Sequence, residues 1–221
     1  MVVLVNTLLN ISRTELGTFP INPEPTDMIA FTKDVLEEFK LQIKEKKFRV
    51  KEQYASSLPL ISLDPKLLRI VVQNIISNAV KYTPEKGTII VKIFSQKEGE
   101  IVGDWKLKTN SLIMSIADTG YGIPRNQSDK IFTKLFRADN VKEKDTDGTG
   151  LGLYLAKSIM DHVQGDLWFS SPSGSPPKDG QAALGGESEE NPGTTFYLSI
   201  PSEGMKKKEG GKELMAWSRN S

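Results

Sequence analysis

The sequence predicts an α/β protein, a two-layer sandwich in which helices cover one face of a mixed, mostly antiparallel sheet. Amphipathic stretches with helical spacing are interspersed with short apolar or alternating runs that are typical of strands. The helical stretches cover residues 28–43, 65–83 and 151–163, and the strand-like runs cover residues 48–54, 87–94, 111–118, 166–171 and 194–200. Helices and strands mixed along one chain favour a sheet packed against helices.

The first part of the chain predicts a helix, a linker and a second helix. Apolar residues recur at helical spacing from Leu4 to Ile11, and this helix is expected to end near Gly17. INPEPTD, residues 21–27, is a proline-rich linker whose last residues can cap the next helix. That helix is predicted over 28–43, and the alternating run FRVKEQY, residues 48–54, is expected to be a strand.

The middle of the chain predicts a long helix and two strands. Asp64 and Pro65 are a cap followed by a first-turn proline, and the helix that they begin is expected to end before Pro84. Strands are predicted at 87–94 and 111–118, joined by an extended hairpin connection. A short helix is predicted over 128–136.

The last part of the chain completes the sheet. A glycine-rich loop leads into a helix over 151–163, and strands follow at 166–171 and 194–200. Residues 172–192 are polar and rich in Gly, Pro and Ser, which predicts a mobile loop. Residues 202–221 are mostly polar and are expected to form a disordered tail.

Composition narrows the function classes. The net charge of +1 gives no reason to expect a nucleic-acid partner. The absence of cysteine excludes disulfides and thiolate metal sites and agrees with a reducing, cytoplasmic location. No apolar run approaches the roughly 20 residues of a membrane span, so no membrane contact is expected, and an anchor of a parent protein would lie outside this sequence. The N-terminus does not have the pattern of a signal peptide.

The first candidate motif is NIISNAVKYTP, residues 74–84. Asn74 and Asn78 are four residues apart and share one helix face, with Lys81 one turn further on and Tyr82 beside it. Amide oxygens suit a hard cation such as Mg²⁺, a lysine can neutralise phosphate, and a tyrosine ring can stack on a base. Taken alone, this helix favours asparagines that cap a loop or face water over asparagines that bind a ligand.

The second motif is DTGYGIP, residues 118–124. Asp118 ends an apolar strand, and Gly120 and Gly122 permit positive φ and close approach of the backbone. A carboxylate at such a strand end can accept a hydrogen bond from an exocyclic amine such as that of adenine. An ordinary strand followed by an Asp-Thr-Gly turn, with no ligand, would have the same sequence pattern.

The third motif is DGTGLGLYLAKSI, residues 147–159. Its glycines lead directly into a helix, where free backbone N–H groups and the helix dipole favour phosphate. The stretch is neither a P-loop nor a dinucleotide fingerprint. Upstream, Phe132 and Phe136 are expected to anchor the intervening segment by packing, and Arg137 could reach a terminal phosphate.

These motifs, in this order, resemble the N, G1, F and G2 boxes of the ATP-binding catalytic domain of sensor histidine kinases. That domain belongs to the superfamily of gyrase, heat-shock-chaperone and mismatch-repair ATPases, called GHKL, which has the Bergerat fold. GTTFYLSIP, residues 193–201, resembles the closing strand of that domain, and residues 4–17 resemble the end of the second dimerisation helix. The resemblance implies a division into a dimerisation helix (1–18), a linker (19–26), a catalytic domain (27–201) and a tail (202–221).

The resemblance implies a site for ATP and Mg²⁺. In the family, the asparagine that matches Asn74 binds Mg²⁺, and the one that matches Asn78 supports contacts to phosphate. Lys81 would meet the phosphates and Tyr82 would flank the adenine. Asp118 would accept a hydrogen bond from the adenine amine, with Thr194 near the same edge through water. Asn78 and Arg137 would be the catalytic residues, since Arg137 would stabilise charge on the γ-phosphoryl group.

The glycine segments complete this implied site. Gly120 and Gly122 would keep the adenine pocket open, with Ile123 beside them. Residues 137–150 would form a lid over ATP. Its phosphate-facing end would consist of Gly148, Thr149, Gly150, Leu151 and Gly152.

The resemblance also implies a histidine protein kinase. ATPases of the superfamily carry a glutamate at the position of Asn74 as a general base for water, and an amide cannot take a proton at neutral pH. We expect feeble ATP hydrolysis and transfer to a histidine on a dimerisation domain, then to a response-regulator aspartate. A water-using ATPase or serine kinase of the same superfamily and a non-catalytic nucleotide-binding module are the alternatives.

His162 is the only histidine in the sequence, and its place near the end of a helix favours a structural role. The phosphoacceptor histidine is therefore expected on the dimerisation domain of the parent kinase. We expect this stretch alone to be monomeric and the parent kinase to be dimeric.

Overall fold

The computed structural model describes residues 2–142, 148–171 and 193–210. The helices are α1 (Val2–Glu15), α2 (Met28–Glu38), α3 (Lys40–Glu45), α4 (Pro65–Tyr82), α5 (Asp139–Lys142) and α6 (Gly152–His162). The strands are β1 (Glu24–Thr26), β2 (Arg49–Tyr54), β3 (Ile61–Leu63), β4 (Thr88–Gln96), β5 (Ile101–Val102), β6 (Trp105–Lys106), β7 (Ser111–Asp118), β8 (Asp166–Ser170) and β9 (Thr194–Pro201).

The main sheet has five strands in the order β2-β4-β7-β9-β8. β2 runs parallel to β4, and the other neighbouring pairs are antiparallel. The predicted mixed, mostly antiparallel sheet is therefore confirmed. Every residue of the central strand β7 is buried, so Asp118 ends a strand that has neighbours on both sides.

Helices cover one face of this sheet, as predicted. Alternate residues of β4, namely Ile89, Val91 and Ile93, join Leu68 of α4 and Ile159 of α6 in one buried core. This alternation follows from the two-residue period of a strand. The core fixes α4 and α6, the two helices that carry asparagine and glycine motifs, against the sheet.

The hairpin of β5 and β6, which was predicted between two strands, packs on a smaller apolar cluster. The Trp168 ring stacks between the rings of Trp105 and Tyr197, with centroid distances of 5.9 and 5.4 Å. Trp168 Nε1 donates to the carbonyl of Val102 at 3.0 Å. Val102, Leu107, Ile113 and Trp168 are the buried residues of this second cluster.

Two aspartates begin helices as the sequence predicts. Asp27 accepts from the backbone N–H groups of Ile29 and Ala30 and caps α2. Asp64 accepts from Lys66 and Leu67 at 3.0 and 3.1 Å and caps α4. The single helix predicted over 28–43 is wrong, because α2 ends at Glu38 and α3 begins at Lys40 around the non-helical Phe39.

The predicted linker contains a strand that the sequence did not reveal. β1 pairs in antiparallel fashion with β3, with Glu24 opposite Leu63 and Thr26 opposite Ile61. Both strands are three residues long, and Pro25 in β1 matches the tolerance of two-stranded edges for proline. Short pairs of this kind carry too little periodicity to be predicted from sequence.

The short helix predicted over 128–136 is also wrong. A 3-10 helix covers Arg125–Lys130 instead, and turns follow it. Pro124 starts this segment, and its carbonyl accepts from Gln127 N at 2.9 Å. Leu135 has a φ of 61°, which a continuous helix would not allow.

Residues 202–210, predicted to be disordered, instead pack on the domain. Ile21 and Lys208 exchange backbone hydrogen bonds of 2.9 and 3.1 Å. Met205 is 5% exposed and belongs to the core. The predicted loop over 172–192 and the rest of the tail, 211–221, lie outside the described residues. Within the described residues, no helix combines the length and apolarity needed to cross a membrane.

Candidate functional site

Asp118 is a buried carboxylate at the end of β7. Its side chain is 7% exposed, and Oδ1 accepts from the backbone N–H of Gly120 at 2.8 Å. Burial raises the pKa of Asp118 to about 7, against the opposing effect of backbone hydrogen bonds from Gly120 and Thr194. Thr194 lies directly opposite on β9. The strand pairing thus brings these two predicted site residues together.

The turn after Asp118 lies against the C-terminal end of α4. A Cβ atom at Gly120 would lie 2.7 Å from the carbonyl of Tyr82 and 2.6 Å from Asp118 Oδ1, so only glycine fits there. Tyr121 N donates to the same Tyr82 carbonyl at 3.3 Å. Lys81 Nζ lies 5.7 Å from the centroid of the Tyr82 ring. The end of the asparagine helix therefore borders the Asp118 turn.

Ser171, directly after β8, connects this turn to the start of β9. Its Oγ accepts from Ile123 N at 2.8 Å and donates to the Gly193 carbonyl at 2.9 Å. Gly193 N in turn donates to the carbonyl of Gly120 at 2.9 Å. Ser171 was not predicted as a site residue, because only the pairing of β8 with β9 brings it to this turn.

Asn140 holds the far side of the turn. It lies in α5, within the predicted lid, and its Nδ2 donates to the carbonyls of Gly122 and Tyr121 at 3.0 and 3.3 Å. Gly122 has a φ of 67°, which favours glycine. Asn140 was not predicted as a site residue, because it belongs to none of the motifs. Residues 143–147 of the predicted lid lie outside the described residues.

Asn74 faces the N-terminus of α6. Its Nδ2 donates to the carbonyl of Ile70 at 2.7 Å, one turn earlier in α4. Its Oδ1 would lie 2.4 Å from a Cβ atom at Gly152, the first residue of α6. The amide oxygen is therefore directed at a helix start that only a glycine leaves open. Asn78 is half-buried one turn further along α4.

The glycine loop before α6 packs on the segment that follows Phe132. Gly150 has a φ of 68°, and a Cβ atom there would lie 2.8 Å from the carbonyl of Phe136. Leu151 is 2% exposed, and its N–H lies 3.4 Å from Thr149 Oγ1. Gly148 and Arg137 are both half-buried. The two ends of the predicted lid thus meet at Gly150 and Phe136.

A cavity of about 380 Å³ opens beside Asn74, between α1 and α4. Its polar lining includes Thr7, Asn10, Gln73, Asn74 and Ser77. The described residues contain no cluster of three histidine, aspartate or glutamate side chains that could hold a metal.

His162 lies at the opposite end of α6. Its Nε2 is 2.8 Å from the carbonyl of Phe19, in the segment that links α1 to the sheet. This contact agrees with the predicted structural role.

A protein-family model decides what this arrangement is. The model described as histidine kinase-, DNA gyrase B- and HSP90-like ATPase matches residues 63–204, which include α4, the Asp118 turn and the start of α6. The chain belongs to this family. The family predicted from the four motifs is thereby confirmed.

Known proteins resemble the ATPase domain over part of their length. The sensor histidine kinase WalK of Bacillus subtilis is 31% identical over 181 residues, which are 79% of this chain and 27% of WalK. The full-length structure of ShkA in complex with AMPPNP has a TM-score of 0.67 at 23% identity and covers 93% of this chain and 36% of ShkA. The structure of the histidine kinase ThkA in complex with the response regulator protein TrrA has a TM-score of 0.57 at 17% identity and covers 82% of this chain and 42% of ThkA. The two structural matches show a shared fold.

Proposed function

We propose that this chain is the catalytic ATP-binding domain of a two-component sensor histidine kinase. It would transfer the γ-phosphoryl group of ATP to a histidine on a dimerisation domain. The observation that carries the proposal is Asn74, whose amide oxygen is directed at the start of α6. An amide there can orient a metal or phosphate but cannot deprotonate water, which favours a kinase over a hydrolase.

The adenine end of the proposed site has a suitable acceptor. Asp118 is buried and has a raised pKa because burial disfavours its charged form. A ligand that supplies a hydrogen-bond donor would therefore stabilise the carboxylate. Gly120 leaves room for the close packing of Tyr82 and Asp118. Tyr82, Gly122, Ile123 and Thr194 remain predicted contacts of the nucleotide base.

The phosphate end of the proposed site combines positively charged groups with the N-terminus of α6. α6 has 11 residues and begins at Gly152, so the free N–H groups of its first turn can face phosphate oxygens. Asn74 would hold Mg²⁺ together with phosphate oxygens, and bound Mg²⁺ would neutralise charge on the triphosphate. Lys81 and Arg137 would add positive charge, and Asn78 would support the phosphates. Gly148, Thr149, Gly150, Leu151 and Gly152 remain predicted contacts.

In the transfer itself, an acceptor imidazole nitrogen forms a bond to the γ-phosphorus while the bond to the β–γ bridging oxygen breaks and ADP leaves. The residues of this chain position the triphosphate and stabilise its charge. Histidine needs no general base to attack, because neutral imidazole is already nucleophilic. A site without a general base therefore limits the hydrolysis of ATP by water.

The partners proposed for the parent protein are a dimerisation domain and a response regulator. WalK is named a sensor histidine kinase, and ThkA was solved with a response regulator. We also propose that the domain is cytoplasmic, that it is monomeric alone and that its parent is dimeric.

The test uses ATP labelled at the γ-phosphate, Mg²⁺ and a separately produced dimerisation-domain fragment of WalK. We expect label on the acceptor histidine of that fragment and none when the histidine is replaced by alanine. Rapid release of free phosphate would instead indicate an ATPase. Binding without either product would indicate a nucleotide-binding module.

A further inference from the structure

We propose that Ser171 is a positioning residue that sets the purine specificity of the site, because it orients the Thr194 hydroxyl as a hydrogen-bond acceptor. The inference rests on the proposed function, since it concerns the same nucleotide site. Its consequence is a preference for a purine with a 6-amino group over one with a 6-oxo group.

The hydrogen-bonding capacity of Ser171 is fully used. A serine hydroxyl has one proton to donate and two lone pairs that accept. Its Oγ accepts from Ile123 N at 2.8 Å, lies 2.9 Å from the Gly193 carbonyl and lies 3.3 Å from Thr194 Oγ1. A carbonyl can only accept, so the serine proton is directed at Gly193.

This assignment fixes the direction of the remaining contact. With its proton on Gly193 and one lone pair on Ile123 N–H, Ser171 can only accept from Thr194. The Thr194 hydroxyl therefore donates to Ser171, and its own lone pairs stay available. Thr194 is 5% exposed, so water competes little for this orientation.

Above pH 7, where the Asp118 side chain is deprotonated, two acceptors then flank the same strand end. Thr194 lies opposite Asp118 in the register of β7 and β9. A 6-amino group that reaches Thr194 directly, rather than through water, donates to such a pair, whereas a 6-oxo group would place an acceptor against acceptors. Without Ser171, the Thr194 hydroxyl could rotate and donate to a 6-oxo purine, and the preference would weaken.

The experiment compares ATP with inosine triphosphate, which has a 6-oxo group and a proton on N1 and carries the same sugar and phosphates. Dissociation constants are measured at pH 8 by calorimetry with Mg²⁺ for the unchanged protein and for Ser171→Ala, Ser171→Thr and Ser170→Ala. Ser170 is the matched control because its Oγ lies 3.5 Å from Asp104 and outside this network. The affinity ratio is independent of the folded fraction of each preparation.

We expect the unchanged protein to prefer ATP and Ser171→Ala to reduce the ratio by about five- to tenfold, the size of one hydrogen bond. Ser171→Thr, which keeps the hydroxyl, should restore the ratio, and Ser170→Ala should leave it unchanged. Thr194→Val should also reduce the ratio, and adding Ser171→Ala to it should reduce the ratio no further.

An unchanged ratio in Ser171→Ala, or equal binding of both nucleotides by the unchanged protein, would overturn the inference and leave the proposed function intact. An additive effect of Ser171→Ala and Thr194→Val on the ratio would overturn it as well. This comparison remains valid even if one single variant folds poorly, because it uses affinity ratios. Failure of the unchanged protein to bind ATP would instead overturn the proposed function.

Discussion

At the scale of single residues, Asp118 is a case where function opposes stability. The unfolded chain releases this proton near pH 3.8, whereas the folded domain holds it up to about pH 7. Between these values the folded state binds more protons, so the free energy of unfolding falls as pH rises. The stabilising effect of the buried, protonated acid is complete below about pH 4 and is lost through pH 7.

Asp118→Asn should therefore stabilise the ligand-free domain at pH 8, by about 1.4 kcal/mol for each unit of pKa shift removed. The difference in free energy of unfolding from the unchanged protein should shrink toward pH 4. Urea unfolding at several pH values measures it, with the exposed Glu203→Gln as control. A difference independent of pH would contradict the assignment. The same variant should bind ATP at least tenfold more weakly.

A second residue-scale prediction concerns the asparagines. Asn74→Asp and Asn78→Asp should each weaken Mg-ATP binding by tenfold or more, because each alters the charge and donors that face the phosphates. Asn110→Asp is the matched control, since Asn110 uses its Oδ1 to accept from Glu98 N and an aspartate keeps that bond. Nucleotide binding and transfer that survive in both site variants would argue against the proposed roles.

At the scale of elements, the contact between α4 and α6 depends on Gly152, because a glycine has no side chain to displace Asn74. Gly152→Ala would place a methyl group 2.4 Å from Asn74 Oδ1, the end of a side chain that can rotate away. Because the side chain can yield and alanine favours helix, we expect little loss of stability. We expect at least a tenfold loss of Mg-ATP affinity, because the amide is displaced.

Calorimetry and thermal unfolding of Gly152→Ala, side by side, check this separation. Ser158→Ala, at a half-buried position of the same helix, is the control for general effects on α6. Parallel losses of stability and affinity would mean that Gly152 serves packing alone.

Elements also show what a sequence can reveal. α4 was predictable because Asp64, Pro65 and a long apolar stripe agree with one another. β1 and β3 were not predictable, because a strand of three residues shows no measurable periodicity. In addition, Pro25 in β1 argues against a strand. The turns before Phe136 depend on a positive φ at Leu135, a conformation that no leucine signals in advance.

At the scale of the whole molecule, the segment 202–210 fastens the chain after its last strand. Met205 N donates to the carbonyl of Ser62 at 2.7 Å, and Met205 Sδ accepts from Asp64 N at 3.3 Å. The polar composition of this segment predicted disorder. The segment is nevertheless held in place, because one buried methionine side chain fixes its position. Composition averages over a segment, whereas packing here depends on one side chain.

Met205→Ala should lower the free energy of unfolding by about 2–3 kcal/mol, since it empties a buried site. The neighbouring Lys206→Ala, at an exposed position, should change it by less than about 0.5 kcal/mol. Denaturant unfolding of the two variants tests this. Equal effects would show that the segment does not contribute to the core.

The candidate site divides in the same way between what sequence predicts and what it hides. Asn74, Asp118 and the glycines stand in recognisable local patterns, because each depends on one helix face or one turn. Ser171 and Asn140 act through contacts with residues far away in sequence, such as Ile123 and Gly122. Such contacts become visible only when the strands and the turn are placed together.

Calorimetric titration of the full chain with ATP and Mg²⁺ tests the central claim most directly, with Asp118→Asn and Asn74→Asp titrated alongside. The account predicts saturable binding at one site per chain, weakened at least tenfold in each variant. Absence of binding heat in the unchanged protein across several temperatures, or equal affinities in all three proteins, would contradict it.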